Sequence, residues 1–285
     1  MKKIKLEKMR CLDTVTSTQK SRPCFVSAGS GLILHQNHFY VVADDELSLG
    51  IFPHQGDALG KFVPVMNGEL PLGHRERKKA KPDFESLILL DNDRLLVLPS
   101  GSKENRHLAI IYHLDANRTE VLDLSVLYLA LEKEFSELNL EGAVIKGHDL
   151  LLFQRGNGAK KENAVITVEL DSFLNGQLNL KKIKHYQLGE IKKTPYSFTD
   201  AAIDDQGHLY FLAAAEASDS TFEDGAFLGA IIGRFDTSGK IIETIELEIK
   251  HKPEGLAFDH DGFFYLVTDG DDITKASVLY KGKYH

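Results

Sequence analysis

The sequence predicts an all-β fold, a five-bladed β-propeller of four-stranded antiparallel blades. Three observations support this: a strand–turn–strand hairpin occurs five times, a third and usually a fourth strand-like segment follow it, and the interval between hairpins is about 55 residues. A regular interval of that length is typical of repeat architectures, so we expect one domain over residues 1–285. The hairpins begin at Ser30, Glu85, Glu141, Asp200 and Glu254.

Each hairpin combines two short apolar strands around a polar turn. In "EGLAFDHDGFFYLVTDGDD", residues 254–272, the turn is His260-Asp261-Gly262 and the second strand ends among acids. The turn needs no functional explanation, because Asp and Gly readily adopt the required backbone conformations. The other copies are "SGLILHQNHFYVVADDE", "ESLILLDNDRLLVLPSGS", "EGAVIKGHDLLLFQRGNG" and "DAAIDDQGHLYFLAAAE".

The outer strands indicate how the ring closes. Segments such as "NAVITVELD" supply third strands and segments such as "KIIETIELE" supply fourth strands, but the last repeat stops after its third. Residues 3–12 form a strand-like piece with no repeat of its own, so we expect them to be the outer strand of the last blade. Six blades are the alternative, because the second half of residues 33–84 is poorly patterned. A two-layer β-sandwich would give no reason for a repeated acid-led hairpin.

One segment is predicted to be helical. In "DLSVLYLALEKEFSEL", residues 123–138, Leu127, Leu129, Leu131 and Phe135 lie among charged residues, as in a short amphipathic helix. The helix lies in the connection that leads to Glu141. It could cover the channel mouth or a blade edge, and the sequence favours neither.

The composition narrows the classes of partner. A net charge of −8 argues against nucleic acid as a general partner, since an anionic surface repels phosphate backbones. Charged residues interrupt the N-terminal "MKKIKLEKMRCLDTV", which argues against a signal peptide, and no apolar run approaches the roughly 20 residues of a membrane helix. Cys11 and Cys24 are the only cysteines and form no metal-binding motif. We expect a soluble cytoplasmic protein with reduced thiols and no membrane contact.

Acidic residues are predicted to gather at one rim of the central channel. In a propeller the first strand of each blade begins, and the second ends, at the same face. The residues before the first strands are Ser30, Glu85, Glu141, Asp200 and Glu254. Those that follow the second strands include Asp44, Asp45, Glu46, Ser100, Ser102, Arg155, Glu216, Asp269 and Asp271.

Four carboxylates around a narrow opening must be relieved by a cation, basic side chains, backbone N–H groups or raised pKa values. Ca²⁺ suits a ring of carboxylate and carbonyl oxygens, with Mg²⁺ as the alternative. Zinc or iron suits the ring less, because none of these positions is His or Cys. The structural alternative is that each acid caps backbone N–H groups of the neighbouring blade. Capping would not account for Asp44 or Asp269.

Basic and hydroxyl side chains at the same rim are candidate substrate ligands. Arg155 ends an apolar strand and is followed by Gly156 and Gly158, and it could pair with the ring acids or bind a substrate carboxylate or phosphate. Lys81 belongs to the basic run at residues 74–87, which could form an anion pocket or a solvated loop. Ser100 and Ser102 lie in "PSGSKENR", which lacks the strand–turn–helix context and the His partner of a nucleophile.

The motifs "PEGLAFDHDGFFYLVTDGDD", "LEGAVIKGHDLLLFQRGNG" and "FESLILLDNDRLLVLPSGS" resemble bacterial propellers of the esterase-like, phytase-related group. They are more distantly similar to the calcium-dependent lactonase and phosphotriesterase propellers. In that wider group a Glu of an E-G pair and an Asp after a second strand commonly hold Ca²⁺, so the resemblance implies metal ligands at Glu141, Glu254 and Asp269. Glu85 and Asp200 match the position without the following Gly. The better-known enzymes have six blades and a catalytic His at the rim, which the sequence does not match.

Two functions are consistent with this rim. The first is a Ca²⁺-dependent hydrolase of small esters, lactones or phosphoesters, in which the cation polarises the substrate. Asp44 or Asp200 would activate water, and Arg155 or Lys81 would hold an anionic group. The second is a non-catalytic module that binds a small ligand or a partner protein. Because the fold hosts both, the sequence leaves open whether the protein is an enzyme.

Overall fold

A computed structural model describes residues 2–217, 225–270 and 272–284; Asp271, one of the predicted rim acids, lies outside these ranges. Antiparallel four-stranded sheets form five blades around a central channel, which confirms the predicted five-bladed β-propeller. Within the described ranges, no helix has the length and apolar character needed to cross a membrane.

The strands of the first three blades follow two short N-terminal strands, β1 (Lys3–Lys5) and β2 (Glu7–Cys11). Blade 1 contains β3 (Gly29–His35), β4 (His38–Ala43), β5 (Ser48–Pro53) and β6 (Lys61–Pro64). Blade 2 contains β7 (Phe84–Leu89), β8 (Arg94–Pro99), β9 (Leu108–His113) and β10 (Arg118–Asp123). Blade 3 contains β11 (Leu140–Lys146), β12 (Asp149–Gln154), β13 (Asn163–Glu169) and β14 (Leu180–Tyr186).

The remaining strands form a small hairpin and the last two blades. The hairpin consists of β15 (Glu190–Ile191) and β16 (Thr194–Pro195). Blade 4 contains β17 (Ser197–Ile203), β18 (Leu209–Ala217), β19 (Ala226–Phe235) and β20 (Ile241–Glu248). Blade 5 contains β21 (Lys252–Phe258), β22 (Phe263–Asp269), β23 (Val278–Lys283) and β2. The helices are α1 (His74–Ala80), α2 (Ser125–Leu131) and α3 (Leu170–Leu174), with a 3₁₀ turn at Glu104–Arg106.

Burial decreases from the inner to the outer strand of a blade, and this explains the sequence pattern. The second strands, such as "RLLVLP" in β8, are packed between neighbouring blades and are apolar on both faces. The outer strands β10 and β14 are largely exposed and rich in Lys, Arg and Glu. Phe, Ile, Leu and Val from adjoining blades therefore form the core.

The N-terminal strands close the ring across two blades. β2 pairs antiparallel with β23 and completes blade 5, with Cys11 opposite Val278, as expected for the closing strand. β1 instead pairs parallel with β20 of blade 4, with Ile4 opposite Leu247. Residues 3–12 therefore do not form one strand, because Ile4 is buried in the apolar cluster between blades 4 and 5.

A β-bulge near the start of every inner strand sets the geometry of the rim. In β3, β7, β11, β17 and β21 the pairing register shifts by one residue there. Such a bulge leaves one residue unpaired and re-aims its side chain. The bulged residues are Ser30, Glu85, Glu141, Thr199 and Glu254.

Blade 4 differs from the alignment made on sequence, in which Asp200 was equivalent to the other acids. Thr199 occupies the bulge, and Asp200 pairs with Leu212 in the ladder, as Gly142 pairs with Phe153 in blade 3. The expectation that Asp200 matches the ring position is therefore wrong. Aligning on charge displaced the repeat by one residue, which in a strand moves a side chain to the other face.

Glycine after the bulge lets neighbouring inner strands pack at backbone distance. A Cβ atom added to Gly142 would lie 2.8 Å from Cα of Asp200 in the next blade. A Cβ atom on Gly255 would lie 2.8 Å from the carbonyl oxygen of Ser30. The second residue of the E-G pair therefore serves the packing of the ring.

Helix α2 packs between blades 2 and 3 and is shorter than the predicted segment 123–138. Its Tyr128 and Leu131 are buried among Leu98 and Leu152. The Tyr128 hydroxyl donates a 2.8 Å hydrogen bond to the carbonyl oxygen of Pro99. Helix α1, rather than α2, contributes side chains to the channel mouth.

Candidate site at the channel mouth

A cavity of about 440 Å³ opens at the rim where the inner strands begin, and all five blades contribute to its lining. Most of the side chains that the sequence singled out line it. Those that do are Ser30, Asp44, Asp45, Lys81, Glu85, Ser102, Glu141, Arg155, Glu216, Glu254 and Asp269. Glu46, Ser100 and Asp200 do not belong to the lining.

Three buried carboxyl groups, which we call the deep cluster, converge in this cavity. Glu85, Glu141 and Glu254 occupy the bulge positions of blades 2, 3 and 5, and all three are buried. One carboxyl oxygen from each lies within 4.8 Å of the others. The repeated bulge explains the convergence, because it turns the same position of each inner strand toward the channel axis.

Two basic side chains neutralise part of this cluster. Arg155 lies 3.1 Å from Glu141 and also forms an ion pair with Glu216. Lys252 lies 2.8 Å from Glu254 and 3.1 Å from Glu216. Arg155 therefore pairs with acids of the rim, which was one of the two roles expected for it. Sequence reasoning missed Lys252, although its place two residues before Glu254 on an inner strand was a usable signal.

Glu85 differs from its neighbours because no hydrogen bond or ion pair joins it to another residue in the ranges that the structure describes. Burial raises its pKa well above the usual value, and the nearby carboxyl groups of Glu141 and Asp83 raise it further. Burial also raises the pKa of Glu254 to about 8, although Lys252 opposes the shift. The deep cluster therefore favours bound protons or a bound cation at neutral pH.

A second group of charges lies beside Glu85. Lys81 pairs with Asp44, and its Nζ lies 2.8 Å from Oδ1 of Asp83. Asp44, Asp83 and Glu85 also bring carboxyl oxygens within 4.8 Å of one another, with the Lys81 ammonium already between two of them. Burial raises the pKa of Asp44 to about 6 while Lys81 lowers it. Asp83 carried no repeat signal and was not identified from the sequence.

The two serines belong to the support of Asp83. Ser100 Oγ donates a 2.5 Å hydrogen bond to Oδ2 of Asp83, and Ser102 Oγ accepts a 2.6 Å bond from Arg106. Arg106 in turn lies 2.5 Å from Oδ2 of Asp83. Neither serine bonds to a histidine within the described ranges, so this arrangement does not form a nucleophile–base pair.

The acids that follow β4 have partners outside the repeat. Arg22 lies 2.7 Å from both Asp45 and Glu46, and Arg77 of α1 lies 3.2 Å from Glu46. These ion pairs fix the loop before blade 1 and helix α1 against the mouth. Neither arginine was identified from the sequence, because nothing in the repeat pattern connects position 22 with position 46.

Asp200 has a structural role. Its Oδ2 accepts a 2.7 Å hydrogen bond from the backbone N–H of Leu256 in blade 5. The adjacent Thr199 Oγ1 donates a 2.9 Å bond to the carbonyl oxygen of Pro253. Capping of a neighbouring blade, the alternative considered for every ring acid, therefore describes blade 4. Asp269 lines the cavity but belongs to neither group of converging carboxyl oxygens.

Comparison with known proteins supports the fold. The structure is similar to the Myxococcus xanthus glutaminyl cyclase, with 12% identity over 98% of this chain and 96% of that chain and a TM-score of 0.55. It is also similar to a glycosyl hydrolase from Bacteroides ovatus, with 12% identity over 97% and 93% of the two chains and a TM-score of 0.55. Likeness at such identity shows a shared propeller fold and carries no activity across.

Sequence comparison adds a family without a known role. No curated protein matches the sequence. A model of a family of unknown function, DUF6929, matches residues 25–283. The resemblance of the motifs to phytase-related propellers is thus supported at the level of the propeller fold.

Proposed function

Since this chain belongs to DUF6929, a family of unknown function, we propose its function from the residues at the channel mouth. We propose that a divalent cation, Ca²⁺ or Mg²⁺, binds to Glu85, Glu141 and Glu254. The bound cation would support hydrolysis of a small ester, lactone or phosphoester. Both ions are hard cations that prefer carboxylate oxygens. The proposal rests on the deep cluster and on no property of the similar structures.

The observation that carries this proposal is an excess of buried carboxyl groups over bases. Burying several like charges is costly unless protons or a cation offset them, and a divalent ion does so while the carboxylates stay ionised. The carboxyl groups are the buried Glu85, Glu141 and Glu254 with the half-buried Glu216, and the bases that pair with them are Arg155 and Lys252.

The hydrogen bonds of the cluster leave oxygens available to a cation. Asn139 and Arg155 both bond Oε1 of Glu141, and Lys252 bonds Oε1 of Glu254. In the part of the chain that the structure describes, Oε2 of these two residues and both oxygens of Glu85 remain for a ligand. Bonds to one oxygen that orient the other are characteristic of residues that support metal ligands.

The surrounding side chains suit hydrolysis. A bound cation would act as a Lewis acid on a carbonyl or phosphoryl oxygen. Asp44, with a pKa of about 6, is suited to accept a proton from water near neutral pH. Arg155 is held by Glu141 and Glu216 and would position these carboxylates. Asp200 lies outside the cavity, so we assign it no step.

The second candidate function is non-catalytic binding of a small ligand. It is favoured by the ion pairs that Arg155 and Lys252 form with Glu141, Glu216 and Glu254. If bound protons neutralised the carboxyl groups that these bases leave unneutralised, the cavity would need no metal.

Titration of the chelator-treated protein with Ca²⁺ and with Mg²⁺ tests the proposal. We expect thermal stability to rise, by about 2.7 kcal/mol at a cation concentration a hundredfold above Kd. Glu85→Gln should abolish the rise, and it leaves Arg155 and Lys252 with their partners. The matched control is Asp259→Asn, at a turn of blade 5, where the carboxylate accepts bonds from Phe263 N–H and Tyr265 Oη. It should lower stability and keep the cation response.

Activity is measured next on lactones, aryl esters and phosphoesters with and without the cation. Cation-dependent turnover that Asp44→Asn lowers by about 10²-fold or more would support the hydrolase. If a cation stabilises the protein but no substrate of these classes is hydrolysed, the metal site is supported and the hydrolase is contradicted. If neither ion stabilises the wild-type protein, the metal site and the hydrolase both fail, and the ligand-binding module stands.

A further inference from the structure

One wall of the cavity is basic, in contrast to the acidic deep cluster. Helix α1 contributes Lys78, and the loop between β8 and β9 contributes Lys103 and Arg106. Both lysines are partly buried and line the cavity. These positive charges lie together in a protein whose net charge is −8, and Asp83 pairs with Arg106 among them.

Arg106 connects the two elements that form this wall. Its side chain is 7% exposed, and its Nη1 bonds Asp83 and Ser102 at 2.5 and 2.6 Å. Nη2 donates a 3.0 Å bond to the carbonyl oxygen of Lys78. These bonds join the end of α1 to the loop of Lys103, so that both lysines face one cavity from two separate elements.

The neighbouring charges of the wall act on Lys103. Burial lowers its pKa, the positive charge of Arg106 lowers it further, and the Asp83 carboxylate partly opposes the shift. A bound oxyanion would stabilise both ammonium groups, since opposite charge favours the ionised form. Carboxylates and phosphates are the oxyanions that such amines commonly bind.

We propose that Lys78 and Lys103 bind a carboxylate or phosphate group of the substrate, with Arg106 as the residue that positions them. The inference rests on the proposed function and narrows its substrate class to esters, lactones or phosphoesters that carry an additional anionic group. A chain of ion pairs from Arg106 through Asp83 and Lys81 to Asp44 connects the wall with the proposed base. The wall and the deep cluster line the same cavity, so an anion held on the wall would keep the rest of a small substrate within that cavity.

Binding of inorganic phosphate and of acetate to the chelator-treated protein tests this inference by calorimetry. We expect saturable binding of at least one anion that weakens at high salt, and a loss of tenfold or more in affinity in the Lys78→Gln/Lys103→Gln double variant. Lys79→Gln is the control, because Lys79 is the exposed neighbour on α1 and does not line the cavity. A preference for phosphate or for acetate distinguishes the two sources of the anionic group.

Glu85→Gln separates this inference from the proposed function. Anion binding should persist in that variant while the response to Ca²⁺ is lost, since the wall and the deep cluster share no ligand. The inference is overturned if neither anion binds, if the double variant binds as tightly as the wild type, or if Lys79→Gln weakens binding equally. None of these results depends on whether the cation site exists.

Discussion

Glu254 illustrates how burial and neighbours together set the chemistry of one side chain. Its pKa is raised from 4.5 to about 8, chiefly by burial, and Lys252 limits the shift. In the cation-free protein the protonated carboxyl therefore stabilises the fold at acidic pH. That contribution is lost as the pH rises from about 4.5 through about 8.

Cation binding should accordingly release protons. We expect the Ca²⁺ affinity of the wild-type protein to increase by up to about tenfold per pH unit between pH 6 and 8, with a plateau above, because ligands must be deprotonated. Calorimetry in buffers of different ionisation enthalpy measures the protons released per ion, and we expect at least one at pH 7. An affinity independent of pH, with no proton release, would contradict assignment of Glu254 as a ligand.

At the scale of single residues, the sequence repeat identified the carboxylates of the site but not the basic side chains that pair with them. Glu85, Glu141 and Glu254 recur at one position of the hairpin, so sequence spacing alone indicated that they meet. Lys252 pairs with Glu216 and Arg22 pairs with Glu46, from positions that no periodic pattern connects. The position of Lys252 beside Glu254 was visible in the sequence, but its pairing with Glu216 depends on the packing of the ring, which the repeat pattern does not show.

The inner strand of each blade is the element that positions the side chains of the site. Its bulge directs the Glu side chain to the channel, and the glycine that follows lets the next blade approach. The bulge could not be read from the sequence, and this explains the misplacement of Asp200. In "FTDAAI" the acid lies one residue later than in "LEGAVI", a difference visible only once the pairing register is known.

Gly142→Ala tests the role of this glycine. We expect a loss of about 1–3 kcal/mol in the free energy of unfolding, because the new methyl group would meet backbone atoms of Asp200 and Ala201. Urea denaturation measures the loss. Gly270→Ala is the control, since its Cβ would meet no atom within 4 Å and its backbone needs no positive φ. Equal stability of both variants with the wild type would show that the inner strands can move apart at little cost.

On the scale of the molecule, the ring is held by a blade assembled from both ends of the sequence. β2 completes blade 5, and β1 extends blade 4 beside it. The missing fourth strand of the last repeat allowed this closure to be predicted. The division into two strands was not predicted, because the burial of Ile4 depends on the outer strand of another blade.

Deletion of residues 2–11 should lower Tm by at least about 5 °C, since it uncovers β23 and removes the buried side chain of Ile4. A circular permutant that carries residues 2–11 after residue 284 through a short linker is the control. It should regain most of the loss, because β1 contacts β23 and Tyr284 packs in the same cluster as Ile4. Scanning calorimetry compares the three proteins. A permutant as unstable as the deletion would show that closure requires the original connectivity.

The close approach of the inner strands affects how a ligand enters and leaves the cavity. The backbones of adjacent blades meet at Gly31, Gly142 and Gly255, which closes the space between those blades. An occupant of the cavity therefore passes side chains from all five blades at the rim. A newly formed acid, held by the wall that first attracted its precursor, would have to diffuse out before another molecule could enter. Side chains of the loops at the opening, which also line the cavity, would then influence how quickly one occupant replaces another.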